Sequence, residues 1–139
     1  MFRLLVRPVL FAVTLALMSA CGNDSTTTPT NPTPTEPITE TFGGTLNPNG
    51  GATHTFSSSS SGSVTATLSS VGPDSAIVMG LSVGTWNGTG CTVVIANDTA
   101  TQGSVIFANA TQAGQLCVRV YDVGNVTEVT SYEITVVHP

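Results

Sequence analysis

From about position 42 onward, apolar and polar residues alternate with a period of two. Val64, Ala66 and Leu68 share one parity, and Thr65 and Thr67 take the other. Ile77, Met79, Leu81 and Val83 form a second such set, Leu116, Val118 and Val120 a third, and Tyr132, Ile134 and Val136 a fourth. Successive side chains of a strand point to opposite faces, so each set defines a core-facing row. A one-residue slip would turn the whole row toward water, which fixes the register. The pattern predicts strands at Phe42–Leu46, Thr53–Ser57, Ser63–Leu68, Ala76–Val83, Cys91–Ala96, Ser104–Ala108, Gln115–Asp122 and Ser131–Val137. Turn-forming clusters lie between them: Asn47 to Gly51, Ser57 to Ser61, Gly72-Pro73-Asp74, Asn87-Gly88, Asn97-Asp98, Ala113-Gly114 and Gly124-Asn125. Such residues supply positive or preset φ, as tight connections need. Seven or eight short strands in one stretch predict an all-β, antiparallel β-sandwich over residues 42–139.

Composition supports this pattern. The 139 residues include 23 Thr, 17 Val and 14 Ser, and charged residues make up only 8%. Thr and Val suit pleated, half-buried strands, while charged helix formers are scarce. That excludes a helical bundle and a coiled coil. With only three Lys and Arg in the chain, the cationic footprint that nucleic-acid binding requires is missing.

The N-terminus follows a different pattern. Arg3 and Arg7 flank an apolar run, Val9 to Leu17, interrupted only by Thr14. This is a positive n-region and an h-region of secretory length, too short to span a bilayer. The run ends in Leu17-Met18-Ser19-Ala20-Cys21, which resembles the lipobox of bacterial lipoproteins. The resemblance implies that residues 1–20 are removed and that Cys21 receives a diacylglycerol thioether. Two or more acyl chains anchor firmly where one does not. In lipoproteins an Asp after the lipidated Cys favours inner-membrane retention; Gly22 stands there, which points to the outer membrane. The alternative is ordinary cleavage after Ala20. The mature chain would keep eight acids and only Arg119, a net charge of 1 − 8 = −7. Residues 21–41 are rich in Thr and Pro and almost devoid of apolar side chains. They read as an extended tether of up to roughly 60 Å at about 3.1 Å per residue.

Three cysteines leave one unmatched. With Cys21 lipidated, Cys91 and Cys117 remain as a pair in an oxidising envelope, and a disulfide is expected. Two buried thiols or a metal pair are the alternatives.

Candidate chemistry is sparse. No Gly-x-Ser-x-Gly elbow, H-E-x-x-H, C-x-x-C, P-loop or EF-hand pattern occurs, and no catalytic residue is assigned. His54 alternates with Phe56 on one strand face, and His138 is next to last. Trp86, in a predicted loop, either stacks on a sugar ring or partner, or plugs one end of the sandwich. Asp74, Asp98 and Asp122 occupy predicted strand ends or turns, where they would cap turns or contribute oxygens to calcium. Arg119 is expected to pair with an acid on a neighbouring strand, such as Glu133. The edges of an open sandwich offer backbone groups to another chain.

The stretch from Phe42 resembles the bacterial pre-peptidase C-terminal (PPC-like) domain. The resemblance rests on Gly44-Thr45-Leu46, Thr53–Phe56, Asp74-Ser75-Ala76-Ile77, Ala113-Gly114 before Leu116–Val120, and the closing Tyr132–Val136. It implies a jelly-roll-like sandwich. Where that family often has a second Asp, this chain has Ala76. The combined expectation is a lipid-anchored protein of the bacterial cell envelope displaying a non-catalytic interaction or adhesion module. Its partner would be an envelope protein or a glycan. The alternatives are a structural or accessory lipoprotein without a ligand and, in a third class, a hydrolase.

Overall fold

The computed structural model describes residues 35–139. The leader, Cys21 and most of the tether lie outside the described residues. Eight strands follow one another: β1 (Ile38–Leu46), β2 (Gly51–Ser58), β3 (Gly62–Gly72), β4 (Met79–Trp86), β5 (Cys91–Ala100), β6 (Val105–Ala110), β7 (Gly114–Asp122) and β8 (Thr130–His138). They form two four-stranded sheets, ordered β1-β8-β3-β6 and β2-β7-β4-β5. Every pairing is antiparallel. Only β4 and β5 are both consecutive and paired; each other connection crosses to the opposite sheet. This is the eight-stranded jelly-roll arrangement, and the expected antiparallel sandwich is what the chain forms.

The predicted rows meet between the sheets. Val64, Ala66, Leu68, Met79, Leu81, Val83, Leu116, Val118, Val120, Tyr132, Ile134 and Val136 are all buried. Each large aliphatic side chain removed from water contributes about 1.5–3 kcal/mol, so these rows hold the sheets together. A bulge on β3 at Ser69 shifts parity, so Val71 continues the core row after Leu68.

Several boundaries differ from expectation. β1 begins at Ile38, so the last four residues assigned to the tether belong to the sheet. The predicted strand at Ala76–Val83 starts three residues later, at Met79. The Asp74 carboxylate accepts the Ala76 amide at 2.9 Å, which holds Ala76 and its neighbours in a turn. Ile77 still packs against the core from that loop. Asn97-Asp98 is not a turn: β5 runs through it, and the chain reverses at Thr101–Ser104 with Gly103 at φ 88°. Asn97 makes a turn-like bond within the strand, accepting the Thr99 amide at 3.0 Å. Asn87 does the same in a true turn, accepting the Thr89 and Gly90 amides.

β4 is buried on both faces, because Gly80, Ser82 and Gly84 on its outer row are covered as fully as its core row. The Tyr121 ring lies on Gly80, and the backbone of β5 at Thr92 lies on Gly84; a Cβ at either glycine would collide. The fold of β5 over Gly84 explains the cross-link. β4 separates β5 from β7 in the sheet. Cys91 and Cys117 nevertheless have Cα atoms 5.8 Å apart and form a disulfide, as expected.

Candidate functional site

The two long edges of the sandwich are built differently. At one edge β1 lies over β2, and aromatic and histidine side chains fill the gap. Phe42 stacks on His54 with ring centroids 5.1 Å apart, and Phe56 packs on both Phe42 and His138. His54 Nε2 and the Tyr132 hydroxyl share a hydrogen bond of 2.9 Å. His138, fully buried, donates from Nε2 to the Glu40 carboxylate at 3.0 Å. Burial holds the His54 imidazole below its ordinary value and pushes the Tyr132 phenol up, so both of these groups favour the neutral form. No carboxylate or serine hydroxyl hydrogen-bonds His54 among the described residues, and its position is that of a packing side chain.

At the other edge β5 lies beside β6, and apolar side chains on the outer faces of these strands stay in solvent. Five of the seven large hydrophobic residues that remain exposed among the described residues are here: Val93, Val94, Ile95, Val105 and Phe107. Phe107 is 69% exposed and Val94 68%. The reason for Val94 lies in the register. Val83 pairs with Ile95 and Gly84 with Val93, so Val94 is the extra residue of a bulge and is turned out of the ladder. β6 pairs without irregularity, and its outward row is Val105, Phe107 and Asn109.

A cleft of about 400 Å³ opens at the end of this edge. Trp86, Val94, Asn109, Gln112, Gln115 and Leu116 line it, together with Thr85 and Thr111. Trp86 is the last residue of β4, not a loop residue, and is half-buried. Part of its indole therefore borders the cleft. No lining residue is titratable. The arrangement offers an apolar ring, carboxamides and hydroxyls, which suits binding; it offers no group able to move a proton near neutral pH.

The remaining candidates serve the scaffold. Asp74, Asp98 and Asp122 are not brought together, and no group of three or more His, Cys, Asp or Glu residues converges among the described residues. Asp74 caps its turn. Asp98 accepts a hydrogen bond from the Tyr121 hydroxyl; burial first, and this bond second, raise the phenol's pKa. The Asp122 carboxylate accepts four backbone amides, from Asn49 at 2.8 Å and from Gly124, Asn125 and Val126 at 2.7–3.0 Å. It ties the β1–β2 turn to the β7–β8 loop, and these donors, Val126 foremost, hold its pKa below 3.8. The expected Arg119–Glu133 pair does not form. Arg119 lies on β7 and Glu133 on β8, in different sheets. The guanidinium instead lies over the Tyr121 ring, 5.2 Å from its centroid.

The residues missed by sequence reasoning are Phe107 and Val94. Their signal is faint: the segments Cys91–Ala96 and Val105–Ala110 carry no charge and no proline. Comparison with protein-family models finds no match to this chain, and neither does comparison with curated proteins.

Proposed function

We propose that this chain is a lipid-anchored protein of the bacterial cell envelope that displays its sandwich as a non-catalytic interaction or adhesion module. The anchor is assigned to Cys21 on the lipobox-like segment, and Gly22 favours the outer membrane. The PPC-like motifs support a display domain. The observation that carries the reading is the open β5/β6 edge with its cleft beside Trp86, lined by an indole, amides and hydroxyls and by no ionisable group. That chemistry fits an uncharged, hydroxyl-rich ligand of the glycan class: a saccharide ring stacks on indole while carboxamides meet its hydroxyls.

The chain contains a single Trp, so its fluorescence reports this cleft alone. Titration with neutral oligosaccharides should produce a saturable emission change. Trp86→Ala should weaken binding to isolated envelope while leaving the melting temperature nearly unchanged. Unaltered emission together with undiminished envelope binding by Trp86→Ala would remove this assignment. Anchoring is tested separately, because Cys21→Ser should move the protein from the membrane fraction to the soluble fraction.

A further inference from the structure

We infer that the Trp86 cleft takes an N-acetylated sugar, with the acetamido methyl seated in a small apolar recess that adjoins the cleft. The inference rests on the glycan reading of that cleft and narrows it to one class of saccharide. A second cavity, of about 30 Å³, shares Thr85, Val94, Asn109, Ala110 and Leu116 with the cleft. Its remaining walls are Val64 of β3, Val83 and Gly84 of β4, and Ala108 of β6. Val64, Val83 and Leu116 belong to the core and Ala108 packs against it, so the recess reaches in between the sheets. Its size admits a methyl group and excludes a sugar ring. Apolar cavities of this kind stay dry, so a methyl that enters displaces no bound water.

The backbone beside the recess selects an amide. β6 ends its sheet, so the outer side of its backbone has no strand beside it. Val94 is the extra residue of the β5 bulge and has no partner on β4. N–H and C=O groups therefore stand outside any ladder on both margins of the recess. An acetamido group brings one donor and one acceptor to meet them. A methyl carried directly on a sugar ring would fill the recess but leave those groups to water. Charge agrees: acetylation removes the ammonium of an amino sugar, and neither cavity has an ionisable lining residue to pair with one. Trp86 borders the cleft and not the recess, so ring stacking and methyl seating use separate parts of one ligand.

The test is titration of the full chain, purified in a sugar-free detergent, with tri-N-acetylchitotriose and with cellotriose, followed by Trp86 emission. The two trisaccharides share one linkage. They differ at one carbon of each ring, which carries acetamido in the first and hydroxyl in the second. Seating one methyl and pairing one amide should make the acetylated sugar bind roughly tenfold more tightly. Ala108→Val adds two methyl groups to the wall of the recess and should bring that preference down toward parity. The comparison on the unaltered chain decides by itself where that variant does not fold. Equal affinity for the two trisaccharides, or tighter binding of cellotriose, overturns the inference and leaves the glycan reading standing. A preference that Ala108→Val leaves at full size overturns it as well. Silence toward both sugars overturns the inference; joined by undiminished envelope binding of Trp86→Ala, it overturns the glycan reading too. Envelope binding that is abolished by protease treatment of the envelopes points to a polypeptide ligand and overturns both.

Discussion

The β1/β2 and β5/β6 edges solve the same problem in opposite ways. Each must close the gap between two sheets. At β1/β2, Phe42, His54, Phe56, Tyr132 and His138 fill it, and Glu40 meets His138 at its rim. At β5/β6, a bulge turns Val94 outward and Phe107 is left in solvent. Apolar side chains kept in water stabilise nothing in the isolated fold. Their concentration on one edge is the feature on which the proposed binding role rests.

The largest expected effect follows directly. Phe56→Ala at the closed edge should cost about 3–5 kcal/mol in denaturant unfolding, since the ring is buried. Phe107→Ser at the open edge should change stability by about 0.5 kcal/mol or less. Comparable losses at both positions would erase the distinction.

Next comes the cross-link. The disulfide closes a separation of 26 residues, and replacing both cysteines by serine should cost about 3–4 kcal/mol in the chain-entropy picture. The loss should be greatest in the protection of β5 amides against hydrogen exchange, because the bond holds the start of β5 over Gly84. The closed edge, held by packing, should keep its protection until global unfolding.

Acid should separate the edges further. Burial lowers the His54 pKa below 6.5, so the unfolded chain binds protons more readily. The stabilisation from its neutral ring is complete above about pH 6.5 and declines as pH falls through the lowered folded value. His54→Gln should remove that part of the decline from a series of melts. Asp122 acts at lower pH: its folded pKa lies below 3.8, so its contribution holds above that value and is lost as pH falls through the lowered one. Asp122→Asn should flatten the melting profile below about pH 4.

The smallest effect lies at neither edge. Ser82 Oγ is buried without a hydrogen-bond partner among the described residues. Ser82→Ala should be neutral or raise stability by about 1 kcal/mol, because the hydroxyl's desolvation is not repaid.

Alternation made four core-facing rows legible, since a half-buried strand writes its two faces into the sequence, and turn clusters marked off the other strands. What remained hidden was pairing. β7 and β8 are successive, so Arg119 and Glu133 read as neighbours; the chain in fact changes sheets between them. Asn97-Asp98 reads as a turn because Asn97 makes a turn's bonds, yet ladder pairing carries β5 past it. Val93-Val94-Ile95 falls in a predicted strand whose sequence does not mark which side is covered. Only the strand order shows that this run borders a free edge, and only the bulge shows why Val94 leaves the ladder. The Trp86 cleft likewise depends on β6, β7 and the end of β4 meeting in space, which no local pattern encodes.

The most direct measurement compares hydrogen exchange of the protein in its native envelope with that of the purified protein in dilute solution. If the open edge is a binding surface, amides of Val105–Ala110 should exchange markedly more slowly in the envelope, while those of β1 and β2 stay unchanged. Equal exchange of β6 in both settings, or slowing confined to the closed edge, would contradict the account.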